Sequence, residues 1–157
     1  MTQEEAVLNR VKELLPQLTL MDVEFLELRA VRAGEEHEEQ LEDIDEDAVK
    51  PSFELKFSQN KKRDKLRIRL RMETQSTEGV VEAEVAAIYE MSESSKLGPD
   101  VMLEFANRVG VMALLPYLRE ALHSMSLKVF GERLLMPMIP AGELRFDGPA
   151  EMEESSD

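Results

Sequence analysis

The spacing of apolar positions changes along the chain, and each change marks an element. Over residues 3–15, Val7, Leu8, Val11, Leu14 and Leu15 recur at i, i+1, i+4, i+7 and i+8, the stripe of an amphipathic helix. Thr2 is placed to cap it, Glu5 to complete a capping box, and Pro16 to end it. From Leu20 to Arg32 the period shortens to two: Met21, Val23 and Phe25 alternate with Asp22 and Glu24, after which Leu26 and Leu28 take over the apolar positions. A phase slip inside one strand predicts a bulge near Leu26. Three further alternating runs follow, built on Phe53–Phe57, Leu66–Met72 and Val81–Met91. The connections SQNKKRD and QSTEG are short and polar, as hairpin turns are.

These runs predict a four-stranded antiparallel meander with one apolar face. Its third strand carries Arg67, Arg69 and Arg71 on the other face, and its fourth carries Glu82 and Glu84, so cross-strand ion pairs are expected. After Ser92–Pro99 the period becomes helical. Val101, Met102, Phe105, Ala106 and Val109 form one stripe, and Gly110 loosens the chain. A longer helix then runs from Val111 to Phe130, with Pro116 near its first turn and Gly131 at the position that follows a helix end. The expected fold class is α+β: one domain over 1–146, a meander sheet packed by a long C-terminal helix, with a short N-terminal helix. An acidic loop over 33–50 and an acidic, disordered tail over 147–157 complete the expected plan.

Charge and composition narrow the function classes. A net charge of −14 argues against nucleic acid and anionic membrane as partners, since both are met by clustered Lys and Arg. The basic strand KLRIRLR does not reverse this, because its alternation puts the arginines beside the glutamates of the next strand. The first residues lack the basic and apolar regions of a signal peptide, and no run approaches the ~18 apolar residues of a membrane span, so a cytoplasmic protein without membrane insertion is expected.

Catalytic constellations are equally hard to build. There is no cysteine, and the two histidines stand apart, His37 in the acidic loop and His123 in the helix. The acidic loop lacks the mid-loop glycine of a calcium site, and the glycines are scattered singly, which rules out a phosphate-cradling loop. The expectation is no enzyme activity, no metal and no cofactor.

Methionine is the more telling residue. Met91, Met102, Met112, Met125, Met136 and Met138 fall in or near the C-terminal half. Flexible thioethers fill irregular gaps in cores, the expected role of Met112 and Met125, but they also suit surfaces that adapt to many partners. Between Leu134 and Pro140, two prolines keep an apolar run from regular pairing. Leu134, Leu135, Met136, Met138 and Ile139, with Met91 and Met102, are therefore the candidate lining of a groove.

The strand Glu84-Val85-Ala86-Ala87-Ile88-Tyr89 resembles the SecB and SecB-like export chaperones. So do Leu115-Pro116-Tyr117-Leu118-Arg119-Glu120 and the crossover Leu135-Met136-Pro137-Met138-Ile139-Pro140 that follows. The resemblance covers about residues 18–146. It implies an ATP-independent holdase that keeps unfolded polypeptides in hydrophobic grooves and assembles as a homotetramer, a dimer of dimers. In SecB proper the clients are secretory precursors handed to the SecA motor. Asp22 and Glu84 match acidic sheet positions that face SecA, and Pro116, Tyr117, Arg119 and Glu120 match a structural helix motif. The chain departs from the family in its added N-terminal helix, its acidic loop, and its end soon after the crossover. Two alternatives share the fold: an oligomeric adaptor whose apolar crossover serves self-assembly alone, and a SecB-like chaperone dedicated to a toxin–antitoxin client.

Overall fold

The computed structural model describes residues 2–34, 50–140 and 143–148, and the backbone of 151–154. Most of the acidic connection, from residue 35 to residue 49, lies outside the described residues. The first helix, α1, spans Gln3–Leu14 and begins with the expected capping box: Glu5 N donates to Thr2 Oγ1 at 3.1 Å, and Thr2 N donates to Glu5 Oε2 at 3.0 Å. Pro16 sits in a single 3-10 turn, Leu15–Gln17, that leads directly into the sheet.

The strands are β1 (Leu18–Arg32), β2 (Ser52–Gln59), β3 (Lys65–Ser76), β4 (Gly79–Met91) and β5 (Glu151–Glu154). The expected antiparallel meander holds for β2, β3 and β4. The first strand departs from it: β1 pairs with β4, on the far side from β2, giving the order β1-β4-β3-β2-β5. In that position Glu82 of β4 lies between Arg29 of β1, at 3.1 Å, and Arg71 of β3, at 3.3 Å. The slip near Leu26 is present as a register shift between Phe25 and Glu27, and a second shift lies between Leu20 and Asp22. Where a tail without structure was expected, Glu151–Glu154 runs parallel to β2 as a short fifth strand.

One face of the sheet is apolar and covered by helix. The alternation in β3 buries Leu66, Ile68, Leu70 and Met72 completely, beside Leu55 and Phe57 of β2 and Val81, Ala83 and Val85 of β4. Each such side chain contributes about 1.5–3 kcal/mol relative to exposure. The covering helix is longer than expected. Helix α2 (Pro99–Phe105) passes through a π-helical turn, Ala106–Gly110, into α3 (Val111–Phe130) without a break. Gly110 does not loosen the chain; it lets the helix approach the sheet, since a Cβ there would lie 3.3 Å from Ile68 Cγ2. Pro116 therefore sits inside a continuous helix and not in a first turn.

The run Pro99–Phe130 is long and apolar enough by composition to cross a membrane. In the fold, 56% of its most apolar window is buried, and it packs through Met102, Phe105, Leu114, Leu118 and Leu122. Gly79, at φ 151°, closes the β3–β4 turn where a Cβ would fall 2.1 Å from the Val31 carbonyl oxygen and 2.6 Å from the Phe130 ring. Only glycine lets β1, β4 and the end of α3 meet there.

Candidate functional site

Strand β1 is the outermost strand on its side of the sheet, and it exposes large apolar side chains among charged ones. Leu20, Met21, Phe25, Leu26, Leu28 and Val31 are all exposed, while Val23 and Ala30 pack on the core. The two register shifts produce this mixture. Each turns a further apolar side chain outward, so neither face of the strand is wholly polar. Phe25 meets Tyr117 of α3 edge to face, with ring centroids 6.3 Å apart, which extends the apolar surface from the strand onto the helix. Pro116, Arg119 and Glu120 lie on that same exposed stretch of α3 and, with His123, line an open depression of about 410 Å³.

After α3, Gly131 takes the left-handed conformation at φ 79° and the chain turns into the crossover. Ser126, fully buried, pins it: its Oγ accepts from Leu134 N at 2.8 Å and donates to His123 O at 3.1 Å. Held this way, the crossover alternates. Met136 is only 6% exposed and joins the core, whereas Leu135 is 63% and Met138 89% exposed. Leu134 and Ile139 are half-buried against the core. The prolines thus create not a uniformly open segment but one that anchors one side chain and presents its neighbours.

This sorts the candidate lining. Leu135 and Met138 are exposed to solvent, and Leu134 and Ile139 border them half-buried. Met91, Met102 and Met136 are corrections: all three are buried among sheet and helix side chains and offer no surface on the protomer. Met91 lies at the end of β4 opposite Leu18, and Met102 joins the core from the buried face of α2. The two acidic positions also separate. Asp22 is exposed on β1, its carboxylate accepting from Val23 N at 2.9 Å. Glu84, only 7% exposed, is consumed by the ion-pair face: it accepts from Arg69 Nε at 2.8 Å and lies 3.8 Å from Arg71 Nη1. Arg71 in turn reaches Glu27 at 2.8 Å. The expected cross-strand pairs are present, and they remove Glu84 from the surface.

Beyond the crossover, residues that the sequence did not single out cross the helix. Asn107, buried in the π-helical turn, donates through Nδ2 to Phe146 O at 2.9 Å and accepts through Oδ1 from Phe146 N at 2.8 Å. Arg145 reaches Glu104 at 2.8 Å, and Arg108 holds the other oxygen of the same carboxylate. The spacing of Leu144 and Phe146, two residues apart among charged neighbours, was the available signal for this contact. A cleft of about 530 Å³ lies between α1 and α2 beside it, lined by Val7, Leu8, Leu103, Glu104, Arg108 and Arg145 among others. Among the described residues, no three acidic or histidine side chains converge as a metal site would require.

No family model matches the chain. Over 135 residues it is 27% identical to the SecB-like chaperone SmegB of Mycolicibacterium smegmatis, covering 86% of this chain and 84% of that one. Its fold is similar to that of the Mycobacterium tuberculosis Rv1957 SecB-like chaperone, solved in complex with a ChAD peptide from the Rv1956 HigA1 antitoxin. The TM-score is 0.66 at 16% identity, over 83% of this chain and 97% of that one. A protein of unknown function from Streptococcus agalactiae shares the fold less closely, with a TM-score of 0.51 at 14% identity over 77% of this chain and 97% of that one. The chain is thus similar to one SecB-like chaperone in sequence and to another in fold.

Proposed function

We propose that this SecB-like chain is an ATP-independent holdase that binds unfolded polypeptides. The observation that carries the reading is the crossover, where Ser126 and Met136 fix a segment that holds Leu135 and Met138 out to solvent. Apolar side chains held outward by a rigid anchor are ready to exchange water for a client at about 25 cal/mol per Å² buried. A flexible thioether at Met138 tolerates varied client shapes, and several weak contacts along one polypeptide combine through avidity without a sequence code. The net charge of −14 keeps a loaded complex soluble and favours basic clients. Similarity to a SecB-like chaperone over most of both chains supports the same reading. Nothing in this mechanism draws on catalysis or a cofactor.

A homotetramer built as a dimer of dimers, in the cytoplasm, completes the proposal. The apolar edge of β1 and the Tyr117 face of α3 are the surfaces suited to assembly. Delivery to SecA would rest on Asp22, since Glu84 is engaged inside the sheet. An antitoxin is a second client class, favoured by the complex in which the Rv1957 chaperone was solved.

The test is suppression of light scattering as a chemically unfolded protein aggregates. The wild type should suppress it at equimolar subunits, and no effect would remove the holdase reading. Changing Leu135 and Met138 together to Asp should weaken holding by at least ~10-fold, from loss of two apolar contacts, with oligomer mass unchanged. Collapse of the variant to monomer would favour the adaptor reading instead.

A further inference from the structure

We propose that residues Glu143–Gly148 and strand β5 are a tethered occupant of the chain's own client groove, and that an extended polypeptide with apolar side chains two residues apart takes their place. The inference rests on the holdase reading and says where, and against what competitor, a client binds.

Three observations carry it. Asn107 holds Phe146 through both main-chain groups, N–H and C=O, and so recognises backbone, which any polypeptide offers. A buried amide in a π-helical turn, aimed at a passing backbone, is a recognition device; such turns recur at functional sites. Second, exposure alternates along the segment: Leu144 and Phe146 pack on the core, while Glu143, Arg145 and Asp147 point to solvent. This is how an extended client lies on an apolar surface, alternate side chains down. Third, β5 adds to the edge of β2 in parallel register, from Lys56 opposite Glu151 to Gln59 opposite Glu154. Edge-strand addition is a general mode of peptide capture, with main-chain bonds giving affinity and alternate side chains giving preference. Apolar anchor, backbone clamp and edge strand follow one another within a single stretch of chain.

The hold is also weak enough to yield. Leu144 and Phe146 are only half-buried, unlike the fully buried side chains of the core they pack on. The fifth strand has four residues, and the Arg145–Glu104 bridge is exposed on the arginine side. A tethered segment competes at high effective concentration even so. A client's apparent affinity is then reduced by the fraction of molecules in which the groove is open.

The experiment uses the full chain and its Phe146→Ala variant, with two probes measured by fluorescence anisotropy. One is a labelled peptide of residues 143–154, and the other a reduced, carboxymethylated protein that cannot refold. The variant should bind the peptide where the wild type does not, and bind the unfolded protein about 3–10-fold more tightly than the wild type, with the two probes competing. Cooperative thermal melting of both proteins checks that the variant is folded. Equal peptide affinity for the two proteins would overturn the inference, as would an unfolded protein that binds the wild type and variant alike, or that binds but does not displace the peptide. If neither protein binds the unfolded probe, the holdase reading fails. Tighter peptide binding by the variant would then still show that the segment is a displaceable occupant.

Discussion

Glu104 joins the segment around Arg145 to the helix through a shared carboxylate. Burial alone would raise its pKa, but hydrogen bonds from Arg108 and Arg145, with their charges, outweigh it and hold the carboxyl below the usual glutamate range. A lowered carboxyl favours the folded, docked state at pH above the ordinary value of about 4.3, and that contribution is lost as pH falls through the lowered value. Glu4, Glu5 and Asp100 line the same cleft, so the assignment needs a local probe. The Phe146 amide resonance should shift as pH falls below the ordinary glutamate range in the wild type and hold steady in Glu104→Gln; identical titrations would remove Glu104 from the docking contact. At this scale the sequence is a partial guide. Period two identifies Leu66–Met72 as inward and Arg67–Arg71 as outward, and the ion pairs follow. It cannot tell Met136 from Met138, because in a proline-interrupted run nothing periodic says which side chain faces the core. Glu84 looked like surface acid because alternation reports a face, not whether arginines on neighbouring strands will close over it.

Elements were more legible than their neighbours. The capping box at Thr2, the strands and the helix end at Gly131 all follow from local chemistry and all form. The partner of β1 does not, because alternation describes one strand at a time and pairing is settled by charges and side chains far along the chain. The π-helical turn was missed for a related reason: the apolar stripes on either side differ in phase, which reads as a break but is met by widening one turn. Pro116 is the element's remaining cost. It removes a main-chain donor in mid-helix and its side chain is exposed, so little packing is at stake. Pro116→Ala should stabilise the chain by about 1–3 kcal/mol, read as a higher urea midpoint at unchanged slope. A lower midpoint would mean that the proline contributes to a contact its exposure does not suggest.

For the whole molecule, the unresolved demand is the outer edge of β1. A long, apolar edge strand invites pairing, and soluble proteins usually blunt or cover such edges. Here Leu28 and its exposed neighbours extend onto Tyr117, which suits a second copy of the chain meeting β1 across a two-fold axis. On the proposed assembly, Leu28→Lys should sediment as smaller species than the wild type, with the circular dichroism spectrum unchanged. A wild type that already sediments as a monomer would leave the edge without this role.

The pairing of β1 with β4 also has a consequence in time. Leu18 emerges from the ribosome long before its partner Met91, and at about 5–20 residues per second the wait is on the order of 4–15 s. Until Gly79 emerges opposite Arg32, no residue of β1 has its partner strand. Non-local pairing of this kind slows folding and prolongs exposure to aggregation. During its own synthesis, then, the chain spends several seconds in the condition that a holdase exists to relieve.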